Sequence, residues 1–224
     1  MELYHQLFEN NRRWADTMRA EDPAYFDRRA ATQEPHFLFI GGHDSRISSE
    51  AITGTKPGEV LMHRNIANQV HPNDLNTLAI LEYAVEVLDV RHIVVSGHYG
   101  CGGVRAAMRE MGHGVIDHWL HVVRELRQQH AAELAALPDD QAREERLVEL
   151  NVAKQVFQLA RTPIIQRAWA RGQRPILHGT VYDAHDGLLR PLVSGVRDAA
   201  TLTAAEAQPV PSYVAELHPE LATR

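Results

Sequence analysis

Residues His92 to Val104 read HIVVSGHYGCGGV. The apolar run Ile93-Val94-Val95 has the length and β-branched content of a buried strand, and the cluster of glycines after it predicts a tight turn. From Val104 to Met111 helical spacing resumes. Working upstream, Pro72 to Asp89 reads as a helix: Asn73 or Asp74 can cap it, and Leu75, Leu78, Leu81, Val85 and Leu88 recur at helical intervals. Before that, HFLFIGG (His36–Gly42) is a second short apolar run ending in two glycines, again a buried parallel strand reaching a loop. Strand, helix, strand, glycine turn and helix form a βαβ pattern, a connection that is overwhelmingly right-handed.

Downstream, residues 117 to 171 read as two long helices broken at LPDD (Leu137–Asp140), where proline interrupts and an aspartate caps the next helix. RPILHGTVYDAHDGLLRPL (Arg174–Leu192) then gives a third strand, a turn at His185–Gly187 and a return strand. The prediction is an α/β fold, a mainly parallel β-sheet flanked by helices, spanning residues 31–198. Residues 1–30 form an N-terminal helical arm whose Leu3, Tyr4, Leu7, Phe8, Trp14 and Met18 fall near one face, a face expected to pack on the core or on a partner subunit. Residues 199–224, with Pro209 and Pro211, read as an irregular C-terminal tail.

The chain has 224 residues, enough for one sizeable core. A net charge of −6 argues against a general nucleic-acid partner, which needs a basic face. The single cysteine rules out an internal disulfide framework and any four-cysteine zinc site within one chain. No apolar run approaches the roughly 18–20 residues that span a bilayer, so no membrane partner is expected. The N-terminus lacks a basic-then-apolar leader pattern, and a cytoplasmic location follows as an expectation.

In open α/β sheets ligands sit at the carboxyl ends of strands. One strand here ends in Gly41, Gly42, His43, Asp44, Ser45 and Arg46, and another in His98 and Cys101. If the two are neighbours, imidazole, thiolate and carboxylate converge, a donor set that suits zinc. Plainer roles stay open for each: Cys101 as a small core residue, Asp44 as a helix cap paired with Arg46, His43 as a polar loop residue.

The order IGxxDSR (Ile40–Arg46), ExITGxxPGE (Glu50–Glu59), HRNxAN (His63–Asn68), SGHYGCGGV (Ser96–Val104) and HGTVYDAHDGLLR (His178–Arg190) resembles the β-class carbonic anhydrases over roughly Gln33 to Leu192. The resemblance implies a zinc lyase that hydrates carbon dioxide reversibly to bicarbonate, working as a homodimer or homotetramer whose N-terminal arm crosses onto a neighbour. It implies His98 and Cys101 as zinc ligands, and Asp44 held by Arg46 as the pair beside the metal. It further implies Gln33 and Gly102 at the substrate, and Gly41, Arg64 and Tyr182 at a bicarbonate site, where Phe39 replaces the tryptophan often found.

One family ligand is missing. Gly42 stands where the motif carries its first cysteine, and Cys101 is the only cysteine in the chain. Asp44 can become a permanent ligand, or His43 can take the place if the loop bends at its glycines. The alternative is a homologue with an altered or absent zinc site, serving as a binding module or as a hydrolase of another small substrate.

Overall fold

The computed structural model describes residues 1–109, 112 and 114–218. The chain divides into two compact units, Met1–Glu34 and residue 35 onward, a few residues later than the sequence boundary because the extended Thr32–Glu34 goes with the arm.

The first unit is a helical pair, α1 (Glu2–Glu21) and α2 (Tyr25–Ala31). Trp14 meets the rings of Tyr25 and Phe26 edge-on, at centroid distances of 6.2 and 5.7 Å. Part of the apolar face is thus used inside the unit, while Leu3, Tyr4, Leu7 and Phe8 are exposed.

The second unit begins with β1 (Phe37–Gly42), α3 (Ser49–Thr53), β2 (Val60–Asn65), a 3₁₀ turn (Ile66–Asn68) and α4 (Leu75–Glu82), which runs into a π-helical turn (Tyr83–Val87). After β3 (His92–His98) come α5 (Gly102–Ala107), α6 (Val115–Trp119), α7 (His121–Gln129), α8 (Ala131–Ala135), α9 (Asp140–Ala160) and α10 (Pro163–Ala170). The unit closes with β4 (Ile176–Tyr182), β5 (Leu189–Val196), α11 (Ala199–Glu206) and α12 (Val214–Leu217). The sheet order is β2-β1-β3-β4-β5, parallel throughout except for β5, which returns antiparallel to β4. Among the described residues no helix is long and apolar enough to cross a membrane.

The α/β architecture and the strands at β1, β3, β4 and β5 are as the sequence predicts. Asp74 caps α4 by accepting from the Asn76 amide, and Asp139 caps α9 by accepting from that of Ala142. Five expectations change. The parallel edge strand β2 is absent from the sequence reading, since only Val60, Leu61 and Met62 are apolar and no alternation marks them. The first of the two long helices is three short ones. The second ends at Ala160, because the Thr162 hydroxyl accepts from the Ile165 amide and Pro163 starts α10 afresh. The tail carries two helices: Asp198 forms a capping box with Thr201 and starts α11, which buries Leu202, and α12 buries Val214. The helix read to Met111 ends at Ala107. Met111 itself, and the tail beyond His218, lie outside the described residues.

Helix α9 crosses β3, β4 and β5 closely, and two glycines permit the approach. A Cβ on Gly97 would stand 2.5 Å from Val152 Cγ2, and one on Gly179 would stand 2.9 Å from both Val152 and Val156. On the other flank of α9 a buried amide cluster fixes the turn after β2. Gln69 Nε2 and Asn151 Nδ2 both donate to the Ala67 carbonyl, at 2.7 and 3.0 Å, and Gln155 joins Gln69 to Asn151. These bonds hold Ala67 and Asn68 at φ of 61° and 47°, a left-handed geometry that non-glycine residues adopt at some cost.

Candidate active site

Strands β1 and β3 are direct parallel neighbours, so their carboxyl ends bring Asp44, His98 and Cys101 together. With His43, Gly102 and the turn residues Ile66 and Ala67, they border one pocket of ≈220 Å³. His98 is buried, and its Nδ1 lies 3.1 Å from the Tyr99 carbonyl, an arrangement in which Nδ1–H donates and Nε2 is left for another role. Burial opposes charging of His98, but its hydrogen bond to Cys101 and the nearby Asp44 carboxylate outweigh burial and raise its pKa. For the Cys101 thiol burial works upward, yet the bond to His98 and the backbone N–H groups of Val104 and Gly103 bring the pKa down.

Asp44 lies 3.8 Å from His98 Nδ1, through Oδ2. Its oxygens are engaged by Arg46: Oδ1 accepts from the backbone amide and from Nε, both at 2.9 Å, and Oδ2 accepts from Nη2 at 2.6 Å. This fork, one charge-assisted pair plus an amide, holds the Asp44 carboxyl far below the usual carboxylate range. The Arg46 side chain itself is 63% exposed.

Gly41, Arg64 and Tyr182 share a neighbouring cavity with Phe39, Ser96 and His98, of ≈20 Å³, room for about one water. Arg64 is spent there on backbone: Nε donates to Gly42 O at 3.0 Å, and Nη2 to Asp44 O at 2.9 Å and Ile47 O at 2.6 Å. It therefore fixes the loop that carries Asp44. Gln33 belongs to the N-terminal unit and is described with it.

His98, Cys101 and Asp44 fit zinc in donor type, and all three border the same pocket. Asp44 becomes a third donor only by exchanging Arg46 for the ion. As arranged, no group of three or more His, Cys, Asp and Glu side chains among the described residues is disposed to hold a metal. His43 is exposed and borders the same pocket, outside any group of three donors among the described residues.

Two residues at this site escape a sequence reading. Tyr99 is buried, and its phenol donates to Glu149 Oε1 at 2.8 Å. Burial and the Glu149 charge push the phenol pKa up, which keeps it a donor. The signal available in sequence was charged residues within the apolar face of α9, where Glu145, Arg146 and Glu149 are all buried.

Comparison with known proteins points the same way. The carbonic anhydrase family model matches residues 37–189. A carbonic anhydrase of Emericella nidulans is 42% identical over 191 residues, covering 85% of this chain and 84% of the relative. Among solved structures, the Coccomyxa β-carbonic anhydrase in complex with acetazolamide superposes with a TM-score of 0.85 at 38% identity, covering 97% of this chain and 96% of that one. A tetrameric β-carbonic anhydrase from Sordaria macrospora gives a TM-score of 0.83 at 39% identity, over 88% and 100% of the two chains. The chain belongs to the β-carbonic anhydrase family.

Proposed function

We propose that this protein catalyses the reversible hydration of carbon dioxide to bicarbonate, with zinc held by His98, Cys101 and Asp44. The convergence of imidazole, thiol and carboxylate in a single pocket at the ends of β1 and β3 carries the reading. Zinc, when bound, supplies the Lewis acidity that brings the pKa of a water to about 7. The chain's own residues do the rest. Tyr99 orients His98 through its carbonyl, and the amides of Gly103 and Val104 favour the Cys101 thiolate. Asp44 would hold the metal in exchange for Arg46, whose exposed guanidinium would then be free to pair with the bicarbonate anion. A Cβ on Gly102 would meet nothing within 4 Å, so this part of the pocket wall is open for carbon dioxide to approach the backbone. His43, which borders the same pocket, would be the alternative donor if the loop bent at Gly41 and Gly42, and Gln33 is assigned to substrate on the family motif. The reading includes a homodimer or homotetramer in the cytoplasm, the first supported by the exposed Leu3, Leu7 and Phe8 of α1.

Gly42 favours one second reading, a homologue that binds small ligands in this pocket without a metal and without hydration. Zinc per chain by elemental mass spectrometry, together with stopped-flow hydration of carbon dioxide, separates the two. Near one zinc per chain with hydration above the buffer rate supports the first. No zinc after loading, and no hydration, overturns it in favour of the second.

A further inference from the structure

We propose that Glu149 is a positioning residue for His98, acting through Tyr99. The inference deepens the proposed function, since it rests on His98 serving that site. The carbonyl that receives His98 Nδ1–H belongs to the Tyr99–Gly100 peptide. Gly100 has φ +69°, and a glycine on that side of the peptide makes rotation of the carbonyl cheap. Were it to turn away, the imidazole would lose the bond that orients its ring and selects its tautomer.

What opposes this rotation is the anchoring of Tyr99 at both ends. Its backbone amide donates to Tyr182 O at 3.0 Å, and its phenol donates to Glu149 Oε1 at 2.8 Å. Glu149 is wholly buried at the centre of α9, and three donors meet its carboxylate. Beyond the phenol these are the Tyr213 amide, 2.7 Å from Oε1, and Arg146 Nη1, 2.8 Å from Oε2. Arg146 in turn donates to the carbonyls of Val210 and Pro211, so the same acid ties the segment before α12 to the active-site loop. Apolar side chains would fill this volume at a lower desolvation cost, since a buried ion pair is weak support for stability alone. A carboxylate adds a directional bond that fixes where the Tyr99 ring, and hence its carbonyl, points.

The test uses Tyr99→Phe and Glu149→Gln in the full chain, with Tyr213→Phe as a control that cuts only the bond to the Pro191 carbonyl. Nitrogen NMR of the metal-free protein reads the His98 tautomer and the exchange of its Nδ1–H, and competition titration reads the zinc Kd. Expected for Tyr99→Phe is exchange faster by tenfold or more and a zinc Kd weakened by about 10–100-fold, the usual range for a lost outer-shell partner. Glu149→Gln should shift both in the same direction, and it carries the test if Tyr99→Phe does not fold. Tyr213→Phe should lower the melting temperature and leave His98 unchanged. Reduced melting temperatures with wild-type exchange in both Tyr99→Phe and Glu149→Gln would overturn the proposal. Because exchange is read without metal, a wild-type protein that never binds zinc would sink the zinc reading and leave this result standing.

Discussion

The imidazole edge of His98 lies against the backbone of Gly42: a Cβ built on Gly42 would stand 3.1 Å from Nε2 and 3.2 Å from Cδ2. The position that carries the first cysteine in the family motif therefore faces the ring nitrogen left over by the bond to Tyr99. Gly42→Cys should add a thiolate beside His98 and Cys101, with the ring giving way by a few tenths of an ångström. Zinc retained after dialysis is expected to rise toward one per chain, at a stability cost on the order of 1 kcal/mol. Unchanged zinc content in a folded variant would show that the donor count is not what limits the site.

Cys101→Ser and His98→Ala each remove one donor from the pocket at the ends of β1 and β3. Both should lose zinc and hydration together, by at least the roughly 10–100-fold that outer-shell losses cost. Full activity in either variant, measured by stopped flow, refutes the assignment of that residue.

Arg64→Ala removes three hydrogen bonds from the loop that carries Asp44. At about 1 kcal/mol per bond, less for solvent access, a loss of about 2 kcal/mol is expected in urea unfolding. Amide hydrogen exchange over residues 43–48 should accelerate. Lysine should not rescue it, because one ammonium cannot reproduce the guanidinium's fork.

Gly97→Ala drives a methyl group into Val152 at 2.5 Å, where α9 crosses the sheet. Overpacking of this kind costs about 1–3 kcal/mol. Adding Val152→Ala should recover most of the loss, a coupling that a double-mutant cycle in urea measures directly.

His92 Nδ1 and His178 Nε2 lie 3.1 Å apart across β3 and β4, and one neutral ring donates to the other. Burial, then the neighbouring positive groups Arg174 and Arg91, lower the pKa of His92; burial and His92 lower that of His178. A base whose pKa is lower in the folded state takes up protons on unfolding, so stability rises with pH. The contribution is complete above the ordinary imidazole value of about 6.5 and is lost as pH falls through the lowered values. The urea midpoint should therefore drop between pH 7.5 and 5.5, and His178→Gln should flatten that drop.

Much of the site was legible in the sequence because its residues sit on local signals. Glycine-ended apolar runs place His98, Cys101 and Asp44 at strand ends, and the DSR stretch pairs Asp44 with Arg46 two residues on, within reach of a single turn. Strand β2 was not legible, for an edge strand with a half-buried face needs no strong apolar run. Asp198 starts a helix in a stretch whose prolines, Pro209 and Pro211, favour an irregular tail.

By itself the sequence determined the α/β order, the caps at Asp74 and Asp139, and the absence of a thiol at position 42, all of which depend on residues close together in the chain. Only the tertiary structure decided that Arg64 spends its donors on the Asp44 loop and that Glu149 holds Tyr99 from 50 residues away. Such bonds join groups whose separation in sequence carries no periodicity. They form because α9, admitted by Gly97 and Gly179, lies close enough to the sheet for a buried carboxylate to reach the active-site loop.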